Sequence, residues 1–117
     1  MADQSPIFVK TESFMVWLFQ HTGGFPKAER FRLAKQIDDT FFRFHRLLTE
    51  AAYEPLSVAQ LHHADVELQL LRAYLRVALE LKYTHPDQFR HAALHLDEIG
   101  RLLGGWLKVA SSRGNPV

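Results

Sequence analysis

Asp97-Glu98-Ile99-Gly100-Arg101-Leu102-Leu103-Gly104-Gly105-Trp106-Leu107-Lys108 is the stretch on which the reading of this chain turns. It belongs to a longer apolar series, Phe89, Ala92, Leu96, Ile99, Leu103, Trp106 and Ala110, spaced three and four apart. That spacing marks one face of a helix. The series runs unbroken past Gly100, Gly104 and Gly105. Glycine inside a helix costs about 1 kcal/mol relative to alanine. A helix that keeps Gly100 and Gly104 one turn apart is expected to need another backbone close by. The flank thus reads as a packing surface, with a second copy of the chain as candidate partner.

Three more helices are read upstream of this one. The first is expected over about residues 11–22, where Phe14, Met15, Val16, Trp17, Leu18 and Phe19 make it apolar on all sides, the mark of a fully covered helix. Gly23-Gly24 ends it. The second opens at Pro26, a good first helical residue, and covers about 26–53, with Pro55 closing it. Its stripe is Ala34, Ile37, Phe41, Phe44 and Leu48. The third starts on a capping box, Ser57-x-x-Gln60, covers about 57–83, and carries the seam Leu61, Ala64, Leu68, Leu71, Leu75 and Ala78. The fourth starts near Thr84-His85-Pro86-Asp87 and covers about 85–110, leaving 111–117 as a disordered tail. Helices two to four come out at about 27 residues, or ~40 Å, each. Short links between matched helices make antiparallel neighbours. The expected fold is all-α: a single domain over 1–117, an up-down four-helix bundle whose short first helix covers one side or end.

Composition narrows the function. A chain of 117 residues holds one domain by default and buries a core without staples. The absence of cysteine excludes disulfides, thiolate metal sites and cysteine nucleophiles. Fourteen basic and 13 acidic residues leave a net charge of +1, which does not by itself demand a nucleic acid. Seven histidines add charge below about pH 6.5. Met1-Ala2-Asp3-Gln4-Ser5 lacks the parts of a secretory signal, and no apolar run nears the ~18 residues of a membrane span. A cytoplasmic protein with no membrane partner is expected.

The third helix carries more apolar surface than one core face needs. On a wheel at ~100° per residue, His62, Asp65, Gln69, Arg72, Arg76 and Glu80 form one narrow polar strip. Beside the seam runs a second apolar row: Val66, Leu70, Ala73, Tyr74, Val77 and Leu81. The apolar arc spans about 240°, where a surface helix needs little more than ~100°. Two readings stand. Either this helix is central and touches three neighbours, or part of the arc joins the first helix and the glycine face in a subunit interface. The candidate interface residues are Trp17, Leu70, Tyr74, Val77, Gly100 and Gly104.

Polar groupings offer little chemistry. Arg32, Lys35, Arg43 and Arg46 share one face of the second helix, with Lys27 near its start and Asp39 and Glu50 among them. Such a face neutralises phosphates along a nucleic acid; the same pattern also describes an ordinary solvated face. Arg30 falls on the apolar side, placed to bind a partner or to snorkel past the helix end. His91 and His95 stand one turn apart with Asp87 and Glu98 beside them, a spacing that can chelate zinc. They point away from the seam, however, and read as exposed polar surface. No Glu-x-x-His pair of the di-iron type occurs. His62-His63 has no nucleophile nearby, and Gly23-Gly24 and Gly104-Gly105 match no phosphate-binding loop. No metal, cofactor or enzymatic activity is expected.

Four stretches in order carry a family resemblance: Pro6-Ile7-Phe8-Val9-Lys10-Thr11-Glu12, Phe25-Pro26-Lys27-x-Glu29-Arg30-Phe31-Arg32-Leu33-Ala34, Leu71-Arg72-x-Tyr74-Leu75-Arg76, and Glu98 through Lys108. Together they resemble Avd, the accessory variability determinant of diversity-generating retroelements, within a wider family that includes 23S rRNA intervening-sequence proteins. The resemblance implies a four-helix bundle assembled as a homopentameric ring. It implies a noncatalytic partner of the retroelement reverse transcriptase that also contacts template RNA. In such systems the enzyme copies RNA with adenine-directed errors, and the cDNA replaces a variable region of a target gene. The basic residues inside the matched stretches are Arg30, Arg32, Arg72, Arg76, Arg101 and Lys108. Lys35, Arg43 and Arg46 rest on the wheel alone. With so small a net charge, a field able to hold RNA has to be concentrated by the ring, where five copies align five stripes. The alternative is a protein-interaction scaffold without a nucleic-acid role.

Overall fold

Ser5 and Pro6 set the first boundary. Proline has no N–H to leave unpaired and its φ is already helical. The Ser5 carbonyl accepts hydrogen bonds from the amides of Phe8 and Val9 at 3.1 Å each. In the computed structural model, which describes residues 5–54 and 58–114, helix α1 therefore spans Pro6–Gly23. It begins more than a turn before the Thr11 start expected from the apolar run. α1 is also not covered all round: Val9 and Val16 are exposed and Met15, Trp17 and Phe19 half-buried. Its inner face is Ile7, Phe8, Thr11, Phe14, Leu18 and Thr22.

Residues 25–32 do not extend the second helix back to Pro26. Lys27–Glu29 form one 3₁₀ turn, and α2 spans Leu33–Tyr53. The tight turn brings Glu29 inside, where two side chains hold it, and that local bonding overrides helix continuation. α3 spans Val58–Glu80 and ends in a Schellman arrangement. The amide of Tyr83 donates to the Ala78 carbonyl at 2.9 Å and that of Lys82 to Leu79 at 3.0 Å. Lys82 takes the left-handed conformation this cap requires, at φ 66°. The helix thus stops short of the expected residue 83. The Pro55 and Ser57 signals lie outside the described residues.

α4 spans Pro86–Gly114. Its start is capped by His85, not Thr84: the Asp87 amide donates to His85 Nδ1 at 3.1 Å, and the His85 amide donates to Gln88 Oε1 at 2.8 Å. The helix runs on through Ser111 and Ser112, so residues 111–114 are not a disordered tail; 115–117 lie outside the described residues. The helix lengths, 21, 23 and 29 residues for α2 to α4, are less evenly matched than the sequence suggested.

All described elements are helical, and the four helices form a bundle 51 Å long and 24 Å across. Each helix packs chiefly on two neighbours, in the cyclic order α1, α2, α3, α4 and back to α1. The core lies on the axis. Leu18, Ile37, Phe41, Phe44, Leu48, Leu61, Leu68, Leu71, Leu75, Leu96, Ile99 and Leu103 are fully buried, and each contributes roughly 1.5–3 kcal/mol of apolar transfer. Phe41 stacks on Phe44 at 5.5 Å and meets the edge of Phe14 at 5.6 Å, joining α1 to α2. An ion pair crosses three of the four junctions: Arg43–Glu67 at 3.0 Å, Arg72–Asp97 at 3.1 Å and Lys10–Glu98 at 3.4 Å. At the fourth, His45 meets Glu12 at 2.9 Å. Such solvent-side pairs are each worth ~1 kcal/mol or less, so they favour this register more than they stabilise it. No helix among the described residues is long and apolar enough to cross a membrane.

Candidate nucleic-acid and partner interface

One end of the bundle is closed by a polar latch between two connections. Glu29, 1% exposed, accepts the Tyr83 hydroxyl at 2.8 Å and two hydrogen bonds from the Arg32 guanidinium. The Arg32 guanidinium, then the Tyr83 hydroxyl, hold the Glu29 carboxyl down at about 2. A buried carboxylate is tolerated only with this kind of bonding. Nearby, His21 Nε2 and Thr84 Oγ1 share a 2.8 Å hydrogen bond, and Phe25 packs on Tyr83 at 5.6 Å. Burial pushes the His21 imidazole down from its usual value. The Thr22 hydroxyl donates to Asp38 at 2.8 Å, while burial pushes the Asp38 carboxyl up. The sequence reading named Glu29 only within a matched stretch and Thr84 only as a helix start, and it did not bring them together with Tyr83 and His21. The signal was a lone acid, Glu29, in the otherwise basic stretch 27–32.

The basic residues divide into two groups. Every cation of the α2 stripe has a carboxylate: Arg32 with Glu29, Lys35 with Asp39 at 2.7 Å, Arg43 with Glu67, and Arg46 with Glu50 at 3.2 Å. Arg72 is likewise bound to Asp97. Lys27, Arg30, Arg76, Arg101 and Lys108 are exposed and have no carboxylate partner among the described residues. Arg30 is not on an apolar helix face; it closes the 3₁₀ turn and, with Lys27 and Asp38, lines a cavity of about 150 Å³. Arg76 and Arg72 line a smaller crevice, about 60 Å³, over Phe89, Ala92 and Leu96.

The surplus apolar row of α3 is not used up inside the chain. α3 packs chiefly on α2 and α4, so the reading with three neighbours fails. Val66 is 55% exposed, Leu70 36%, Val77 46% and Leu81 47%. Tyr74 is half-buried against the core. Trp17 is engaged within the protomer, stacked between Phe14 at 5.5 Å and His21 at 4.9 Å. Gly100 faces α3: a Cβ there would meet Arg72 Nη2 at 3.5 Å and Leu68 Cδ2 at 3.6 Å, ordinary contacts. Gly104 and Gly105 face open space: a Cβ at either would meet no other element within 4 Å among the described residues.

A family model described as bAvd-like matches residues 7–110. The chain belongs to the bAvd-like family. A search of curated proteins finds no match. The match reaches into all four helices of this bAvd-like protein and includes every basic and interface residue considered above. His91 is exposed, as expected, and His95 half-buried, and both rings make contacts across to α1. His91 tilts onto Trp17 at 4.8 Å, His95 stacks on Phe14 at 5.9 Å, and the two rings lie 4.5 Å apart. They help seat α4 on α1, and among the described residues no group of three or more potential ligands is placed to hold a metal.

Proposed function

We propose that this bAvd-like protein is the noncatalytic accessory factor of a diversity-generating retroelement. It works in the cytoplasm as a closed homo-oligomeric ring, of five by likeness to Avd, that binds the reverse transcriptase and template RNA to support mutagenic retrohoming. Family membership over residues 7–110 carries this reading. The exposed row Val66, Leu70, Val77 and Leu81 supports self-association, because covering it removes apolar surface from water. RNA contact falls to Lys27, Arg30, Arg76, Arg101 and Lys108, whose charge is not already neutralised by a neighbour, rather than to the α2 stripe.

The test is retention of template RNA as salt is raised. Affinity should fall steeply, and each of these five cations changed to glutamine should reduce the salt slope by about 1. Changing Lys35 and Arg46 instead should leave it nearly unchanged. A complex with the reverse transcriptase that survives nuclease and ignores salt would favour the second reading, a protein scaffold without an RNA role. The pairing of Arg32 and of the α2 cations Lys35, Arg43 and Arg46 is the observation on that side.

A further inference from the structure

Phe31 is 80% exposed, and it stands on a turn, not on a helix face. A single exposed aromatic is ordinary on a protein surface. Three features set this one apart. The turn that carries it is pinned: Arg32, next in sequence, is bound to buried Glu29, which is bound in turn to Tyr83 across the end of the bundle. A pinned turn keeps the ring from collapsing onto the core. Arg30 precedes it and Lys27 lies one 3₁₀ turn further back. Side chains three apart in a 3₁₀ turn eclipse one another, so these two exposed cations stand together. Neither has a carboxylate partner among the described residues. The cavity they line also holds Asp38, so its interior suits no anion, and a phosphate has to meet Lys27 and Arg30 from the solvent side.

We infer that the 25–32 turn is a stacking platform for an unpaired nucleobase, with Phe31 as the stacking face and Lys27 and Arg30 receiving the flanking phosphates. This rests on the RNA reading above and names the form of RNA bound: single-stranded, not duplex. Aromatic faces accept any base, and cations beside them track the backbone. A ring flanked by free positive charge suits a polyanion with π-faces better than an apolar pocket on a protein. Arg32 becomes a positioning residue that fixes the turn.

The experiment compares a short single-stranded RNA carrying 2-aminopurine with a duplex of the same length. Phe31→Ala should weaken the single strand about 5- to 150-fold, abolish the stacking quench of 2-aminopurine and leave the duplex nearly unaffected. Phe31→Trp should restore binding; Phe31→Leu should not. Because the side chain lies in solvent, circular dichroism should stay unchanged. Three results overturn the platform while leaving the RNA reading intact: Phe31→Ala binding as well as the native chain, Leu restoring as well as Trp, or the Ala variant losing oligomer mass, which would make Phe31 a contact between copies. A native chain that retains neither probe overturns the RNA reading and the platform with it.

Discussion

Replacing Val66 and Val77 together with lysine should take the assembly apart while leaving each protomer folded. Both side chains lie on the second apolar row of α3, 55% and 46% exposed. Complete burial of a valine is worth ~1.5–3 kcal/mol, so covering the half that still meets water contributes about 1 kcal/mol at each site. Losing both removes about 2 kcal/mol per interface, or roughly 30-fold in the association constant. Any desolvation of the new ammonium groups adds to that loss. Within the protomer the change is mild. Lysine is a better helix former than valine, and exposed substitutions usually stay within ~0.5 kcal/mol. Sedimentation equilibrium across a wide dilution range reads the assembly, and urea unfolding of the same samples reads the protomer. An unchanged oligomer mass would refute the assignment of this row to the interface. A collapse of the protomer's own stability would refute the claim that the row is free surface.

Phe41→Ala, at the contact of α1 and α2, should cost ~3–5 kcal/mol in urea unfolding, since the fully buried ring leaves a cavity between Phe14 and Phe44. Stability should fall as the pH drops below the usual histidine value of 6.5. The folded state holds His21 below that value, so the unfolded chain binds the proton first. Thermal melts from pH 7.5 to 5 should show this slope, and His21→Gln should flatten it. A second loss should appear between about pH 4.5 and 2 as Glu29 protonates and the latch opens. Gly104→Ala should raise protomer stability by up to about 1 kcal/mol, because the added methyl meets open space and the helix gains propensity. If a second copy packs on this glycine, the same change lowers the oligomer's association constant.

The axis of the bundle was legible in the sequence because burial leaves a period. Leu61, Leu68, Leu75, Leu96 and Leu103 repeat at helical spacing, and all are buried. The excess row on α3 was legible from its helical spacing alone, since in the structure it is exposed. The ends were less so. Pro6 starts a helix through a local backbone rule, and the apolar run further on masked it. The break at 30–32 sets Glu29 beside Tyr83, more than fifty positions away in sequence, a contact no local pattern reveals. Three pairs of the basic stripe, Arg32–Glu29, Lys35–Asp39 and Arg46–Glu50, lie three or four residues apart and were open to the solvated-face reading; the fourth was not. Arg43 finds Glu67 only once α2 and α3 are in register. The stacks that involve His91 and His95 likewise need α1 and α4 side by side.

The ring at the centre of the proposed function depends on the chain acting as several copies rather than one. Multi-angle light scattering of the unaltered protein at progressive dilution measures that without a label or a partner. The account predicts a single species near five times the 13.5 kDa of the chain, holding its mass as concentration falls. A monodisperse 13.5 kDa particle at every concentration would contradict it.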